Sequence, residues 1–247
     1  MEKSNIDEKI KLLTGSGMWH TREAEGLPSV HLSDGPHGLR KQEEKERQNN
    51  VSLVSTCYPT ASALACSWDV TAAERLGRAV AKEAWNADVA VLLGPGINMK
   101  RSPLCGRNFE YFSEDPFLAG RLGAAYVSAA QGEDVAVSLK HFAANNQETN
   151  RQTSNSQIDE RALREIYLSA FEYVVKTARP ATIMASYNRL NGYYACENRH
   201  LLTEILREEW GFDGVVISDW GACADLAKAV KAGMDLEMPD SHGIHAR

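Results

Sequence analysis

The chain has 247 residues, 43% hydrophobic and 24% charged, with a formal net charge of −6. That length suffices for one large domain with a substantial core, and the balance is that of an ordinary globular protein. An acidic chain with no sustained basic stretch excludes nucleic acid and anionic membrane as main partners.

No apolar run reaches the roughly 18 residues of a membrane span, and the charged start MEKSNIDEKIKLL is not a signal peptide, so a cytoplasmic location is expected. Cys57, Cys66, Cys105, Cys196 and Cys223 are odd in number, scattered and without a CxxC, which favours reduced thiols over disulfides or a zinc site. No cluster of His, Cys and carboxylates has ligand spacing, so neither a metal nor an organic cofactor is expected.

In chain order, residues 4–13 form a short amphipathic helix, capped by Ser4 and ended by Gly15. Residues 30–32 lead into Ser33-Asp34-Gly35-Pro36, and the mixed-sign run KQEEKER at 41–47 is a solvated loop. Residues 60–65 are a second short apolar stretch, and 69–84 a helix with Asp69 as cap. Strands at 89–93 and 135–139 end in Gly94-Pro95-Gly96 and Lys140-His141. The most regular helix covers 159–177, where Leu163, Ile166, Tyr167, Ala170, Phe171, Val174 and Val175 recur at steps of three and four. A strand at 181–186 ends at Tyr187-Asn188, a weak strand follows at 193–196, and a helix at 201–210 is closed by Gly211. The apolar run 214–218 then delivers Asp219, and a helix at 224–232 stops at Gly233 before Asp235-Leu236-Glu237-Met238-Pro239.

Alternating strands and helices mean an α/β fold with parallel pairing and right-handed crossovers. About eight strand candidates make a (β/α)8 TIM-like barrel the leading architecture, with a doubly wound open sheet second. No GxGxxG follows the first strand, so a dinucleotide fold is disfavoured. Arg247 comes soon after the last strand candidate. Residues 1–247 are therefore expected to be a single barrel domain truncated at its C-terminus, and a second chain or domain is expected to cover the apolar surface so left.

Asp34, Lys140, His141, Tyr187, Asp219 and Trp220 all sit just past strands, on the face where β/α folds place chemistry. Carboxylates, cations and aromatic rings together suit a sugar, whose hydroxyls take charge-assisted hydrogen bonds and whose apolar faces lie on rings. Each residue also has a plainer reading. Asp219 could cap a helix, Lys140 could be a surface lysine or an aldolase-type Schiff-base amine, and Arg107 to Glu110 could be a structural loop. Lys140 and His141 are adjacent and would point to opposite faces of a regular strand, so they share a pocket only if the backbone bends.

Six long unperiodic stretches, LSDGPHGLR (32–40), CGRNFEYFSEDP (105–116), KHFAANNQETNR (140–151), MASYNRLNG (184–192), EWGFDGVVISDW (209–220) and AGMDLEMP (232–239), run nearly end to end. In these the chain resembles the N-terminal catalytic domain of glycoside hydrolase family 3 β-glucosidases. The resemblance implies a retaining hydrolase for a terminal β-linked sugar, with D-glucose as the expected glycone, acting through a covalent glycosyl-enzyme. It makes Asp219 the nucleophile and Asp34 the acceptor of distal hydroxyls. Arg40 and Arg107 would line the glycone pocket or orient its carboxylates, Lys140 and His141 would hold further hydroxyls, and Arg151 would support the pocket. Met184 and Tyr187 would lie beside the nucleophile, Tyr187 as a hydrogen-bond partner to it, and Trp220 would wall the side toward the leaving group. The surrounding cations are expected to keep the nucleophile's pKa low.

The acid/base carboxyl is expected in a following domain that these residues do not include. A branch with a catalytic histidine in KHFPGHG is disfavoured, since this chain reads KHFAANN from Lys140 to Asn146. A non-catalytic sugar-binding fragment is the alternative.

Overall fold

The computed structural model describes residues 6–42, 51–242 and 244. Ser4, the expected first cap, and residues 43–47 of the charged loop lie outside the described residues. Strands β1 (Leu32–Asp34), β2 (Val91–Leu93), β3 (Ala136–Phe142), β5 (Thr182–Ala185) and β8 (Val215–Ser218) form one parallel sheet in the order β1-β2-β3-β5-β8. A separate three-stranded sheet holds β4 (Asn155–Ser156), β6 (Arg189–Leu190) and β7 (Tyr193–Tyr194). The helices are α1 (Ile6–Leu12), α2 (Ala61–Ala65), α3 (Val70–Asn86), α4 (Pro116–Gln131), α5 (Glu160–Ala162), α6 (Ser169–Ala178) and α7 (Leu226–Ala232), with π-wound turns at Leu163–Tyr167 and His200–Glu209.

The fold is α/β, but the described residues do not show a complete barrel, because the regular sheet has five strands rather than eight. Past β8 pairing continues only as single bridges, Ile217 with Leu236 and Thr14 with Glu237, and past β1 as His31 with His20. Pro239, lacking an N–H, cannot extend the first of these into a strand. Two strand candidates are corrected. The 60–65 stretch is helix α2, because Thr60 accepts from the Ala63 N–H and caps an alanine-rich turn. Of the 193–196 segment only Tyr193–Tyr194 is strand, paired antiparallel with β6 outside the main sheet, and Ala195–Glu197 is a 3-10 turn.

Helix α4 carries no sequence signature of a stripe: Ala, Gly, Leu, Val and Tyr are buried nearly all round it. It lies between α3 and α6 and needs small residues to do so; a side chain at Gly77 would meet the Tyr126 carbonyl oxygen at 2.5 Å. Asp115 caps it, with Pro116 in its first turn.

Strand alternation divides the sheet into two faces. Leu92, Val137, Leu139, Ile183, Ala185 and Val216 face the helices within the larger core. Leu32, Val91, Leu93, Met184 and Ile217 face the other way and join Leu236 and Met238 in a smaller apolar cluster. Two residues beyond Leu32 and Ile217 on that second face come Asp34 and Asp219, so alternation alone aims both carboxylates over the small cluster.

Candidate functional site

Asp219 follows β8 directly. Its N–H donates to the Ala185 carbonyl at 2.9 Å, and its Oδ1 accepts from the Trp220 N–H at 2.7 Å. No helix starts there; α7 begins later and is capped by Asp225. Capping therefore does not account for Asp219. Its Oδ2 is buried and has no hydrogen-bond partner.

Lys140 and His141 both reach this site. The register of β3 against β5 shifts between Leu139 and Phe142, which supplies the break in alternation that two adjacent inward side chains require. Lys140 is 3% exposed, and its Nζ lies 3.6 Å from both Asp34 Oδ1 and Glu110 Oε2. His141 is fully buried; its Nε2 contacts Arg107 Nη2 at 2.7 Å and its Nδ1 contacts Tyr111 Oη at 3.0 Å. Arg107 also donates from Nε to Glu110 Oε1. One short turn, Asn108–Glu110 with its flanking residues, thus delivers Arg107, Glu110 and Tyr111 to the cluster.

The electrostatics separate the two buried carboxyls. Burial works against the Glu110 charge, but Lys140 and Arg107 outweigh it and hold the carboxyl below its ordinary value. At Asp219 burial wins: the carboxyl is raised despite the pull of Arg107, Lys140, the Trp220 amide and the Tyr187 hydroxyl. The expected low pKa is corrected accordingly, since the cations act as foreseen but dehydration exceeds them. Burial, followed by Arg107, Lys140 and Arg151, holds His141 well below its ordinary pKa, so the ring is neutral. Burial raises the phenols of Tyr111 and Tyr187, which stay protonated.

The remaining expected residues are placed less uniformly. Arg151 pairs with Glu148 at 2.9 Å and lies over the Tyr187 ring, 4.4 Å from its centroid. The Tyr187 hydroxyl donates to the Trp220 carbonyl at 2.8 Å and also lies against the Asp219 carboxyl, whose charge it favours. Trp220 donates its indole N–H to the Met18 carbonyl and packs on Trp19 with ring centroids 5.2 Å apart. Met184 belongs to the apolar cluster beneath the site. Arg40 meets Asp34 only through the backbone; its side chain is exposed and makes no ion pair with the cluster.

Asn98, Tyr111 and Trp19 were not singled out from sequence. Tyr111 adjoins Glu110 in the CGRNFEYFSEDP stretch, and Asn98 closely follows the end of β2, so motif membership and proximity to a strand end are the respective signals. Asn108 and Phe112 line a separate groove of about 630 Å³ with Ser62, Cys66, Trp68 and Lys100, and none of the cluster residues line it. Chemistry rather than groove size locates the site.

The sequence profile of the glycosyl hydrolase family 3 N-terminal domain matches residues 39–245. The chain is 53% identical to thermostable beta-glucosidase B of Acetivibrio thermocellus, over 99% of this chain and 33% of that protein. It is 50% identical to an exo-alpha-(1->6)-L-arabinopyranosidase of Bifidobacterium longum, over 96% of this chain and 32% of that protein. The structure of beta-glucosidase 3B from Thermotoga neapolitana in complex with glucose matches with a TM-score of 0.90 at 42% identity, over 96% of this chain and 35% of that one. This chain thus spans about a third of the length of these relatives.

Proposed function

The chain belongs to glycosyl hydrolase family 3, and from that membership we propose that it carries the glycone site and nucleophile of a retaining β-glucosidase. The observation that carries the reading is Asp219 Oδ2, a buried carboxylate oxygen without a protein donor, ringed by Arg107, Lys140 and His141. A nucleophile needs a lone pair that the protein has not already engaged. Asp219 would attack the anomeric carbon, the leaving oxygen would depart with its bonding pair, and water would later release the sugar with net retention. Asp34 and Lys140 would bind distal hydroxyls, and Trp220 with Trp19 would supply the apolar wall.

The general acid/base is proposed to come from outside these residues, as the resemblance to two-domain β-glucosidases implies. What supports this is that Glu110 is held ionised by its cations and cannot donate a proton near neutral pH. D-Glucose is the first-choice glycone because glucose occupies a related structure. The arabinopyranosidase relative makes L-arabinopyranose the second.

An aryl β-glucoside with a good leaving group needs little acid help and tests the mechanism in this chain. Proton NMR of the first-formed glucose should show the β anomer. Initial appearance of the α anomer would rule out retention.

A further inference from the structure

Arg107 and His141 come from different elements, and two other buried residues set how they meet. Beyond β2 the backbone keeps pace with β3 for one step: the Lys140 N–H donates to Pro95 O at 3.1 Å and the Ile97 N–H donates to Lys140 O at 2.8 Å. There the backbone ladder stops and Asn98 takes over. Its carboxamide accepts from the His141 N–H at 2.6 Å and donates to the His141 carbonyl at 2.8 Å. A carboxamide offers the same donor and acceptor as a peptide unit, so it supplies the missing rung. Asn98 is itself 2% exposed, and no water need compete for these bonds.

The ring is fixed by its own two hydrogen-bond partners. Arginine has only donors, so the 2.7 Å contact makes His141 Nε2 an acceptor. The ring proton of the neutral imidazole then sits on Nδ1 and is donated to Tyr111 Oη at 3.0 Å. The 3.7 Å approach of Nε2 to Asp219 Oδ2 is consequently a meeting of two acceptors, not an ion pair. The opposite tautomer would turn an N–H toward Oδ2, occupying the nucleophile's open lone pair and expelling Arg107.

Resting on the glycosidase reading of this site, we propose that Asn98 and Tyr111 are positioning residues that hold His141 in its Nδ1-protonated tautomer, so that Nε2 anchors Arg107 and Asp219 Oδ2 stays open for attack. The charged groups facing the ring agree with this: Arg107, Lys140 and Arg151 oppose a second proton, and Asp219 does not overcome them. Glu110 engages Arg107 through Nε and leaves Nη2 for the ring.

The test combines two measurements on the whole chain. Nitrogen-15 NMR of labelled histidine reads the His141 tautomer, and inactivation by a 2-deoxy-2-fluoro glycoside bearing a good leaving group reads nucleophile competence. At pH 7 wild-type His141 should show a protonated Nδ1 and a bare Nε2. Tyr111→Phe should populate the other tautomer and slow the inactivation step about tenfold or more with the inhibitor's binding constant little changed. Asn98→Asp should slow it similarly at pH 7, and the deficit should shrink as pH falls, because protonation returns a donor to the His141 carbonyl. A merely structural defect would not recover in that way. A wild-type ring protonated on Nε2, or doubly protonated, overturns the proposal. So do folded Tyr111→Phe and Asn98→Asp proteins with wild-type shifts and rates. Failure of the wild type to react at Asp219 would instead sink the glycosidase reading, with the NMR result still deciding the tautomer.

Discussion

Two charge networks in this molecule look alike on a distance list and differ in what they do. On the surface, Arg164 pairs with Glu160 through Nε at 2.6 Å and with Glu209 through both terminal guanidinium nitrogens, and His200 pairs with Glu204 at 2.8 Å. In the interior, Lys140 lies a looser 3.6 Å from Asp34 and Glu110. The surface side chains are 29–58% exposed, whereas Lys140 and Glu110 are each 4% exposed. Water screens the first set, and the second must be balanced within the protein. Burial, not contact length, therefore ranks these pairs. Among the carboxylates that face Lys140 and His141, Asp219 keeps its buried Oδ2 without a hydrogen-bond partner, and that is where chemistry is proposed.

The largest effect that could break this contrast is at Asp219. Asp219→Asn should lower release of an activated aryl glucoside by more than about a thousandfold while the far-ultraviolet circular dichroism stays as in the wild type. Next comes Lys140→Met, which removes one cation of the buried Lys140–Glu110 pair. Urea unfolding should show a loss of about 3–5 kcal/mol, as expected for breaking a buried pair.

A pH series sharpens the comparison further. His31, lowered by burial and by His20 to about 4, and His141, lowered by burial, bind protons less readily folded than unfolded. For such groups the unfolded state takes up the extra protons, so stability declines as pH falls from about 6.5 toward 4. Asp219 acts in the opposite sense: its raised carboxyl binds a proton more readily in the fold, so its contribution is lost as pH rises through that raised pKa. The Asp219→Asn variant, lacking this offset, should lose stability more steeply on the acid side in thermal scans. A decline no steeper than wild type would show that Asp219 is not destabilised by burial. The smallest effect belongs to the surface: Arg164→Met should cost no more than about 0.5 kcal/mol. A loss approaching that of Lys140→Met would erase the distinction between the networks.

Much of the site was legible in the chain because strand ends are legible. Asp34 and Asp219 follow apolar strands by two-residue alternation, and Lys140 ends a run of buried residues. Other features depended on tertiary context. The five-strand sheet replaced eight because stretches such as 60–65 are apolar for helical rather than strand packing. Helix α4 was hidden by being apolar on nearly every side. Asn98 and Tyr111 act through single hydrogen bonds across elements, which no periodicity records. The raised Asp219 carboxyl was also out of reach, since counting nearby cations says nothing of how dry the pocket is.

The proposed chemistry depends on one oxygen, Asp219 Oδ2. Incubation with a 2-deoxy-2-fluoro-β-glucoside carrying a good leaving group, followed by digestion and mass spectrometry, should place the sugar on the peptide containing Asp219, with loss of the label in Asp219→Asn. A label on any other residue, or none on folded wild-type protein, would contradict it.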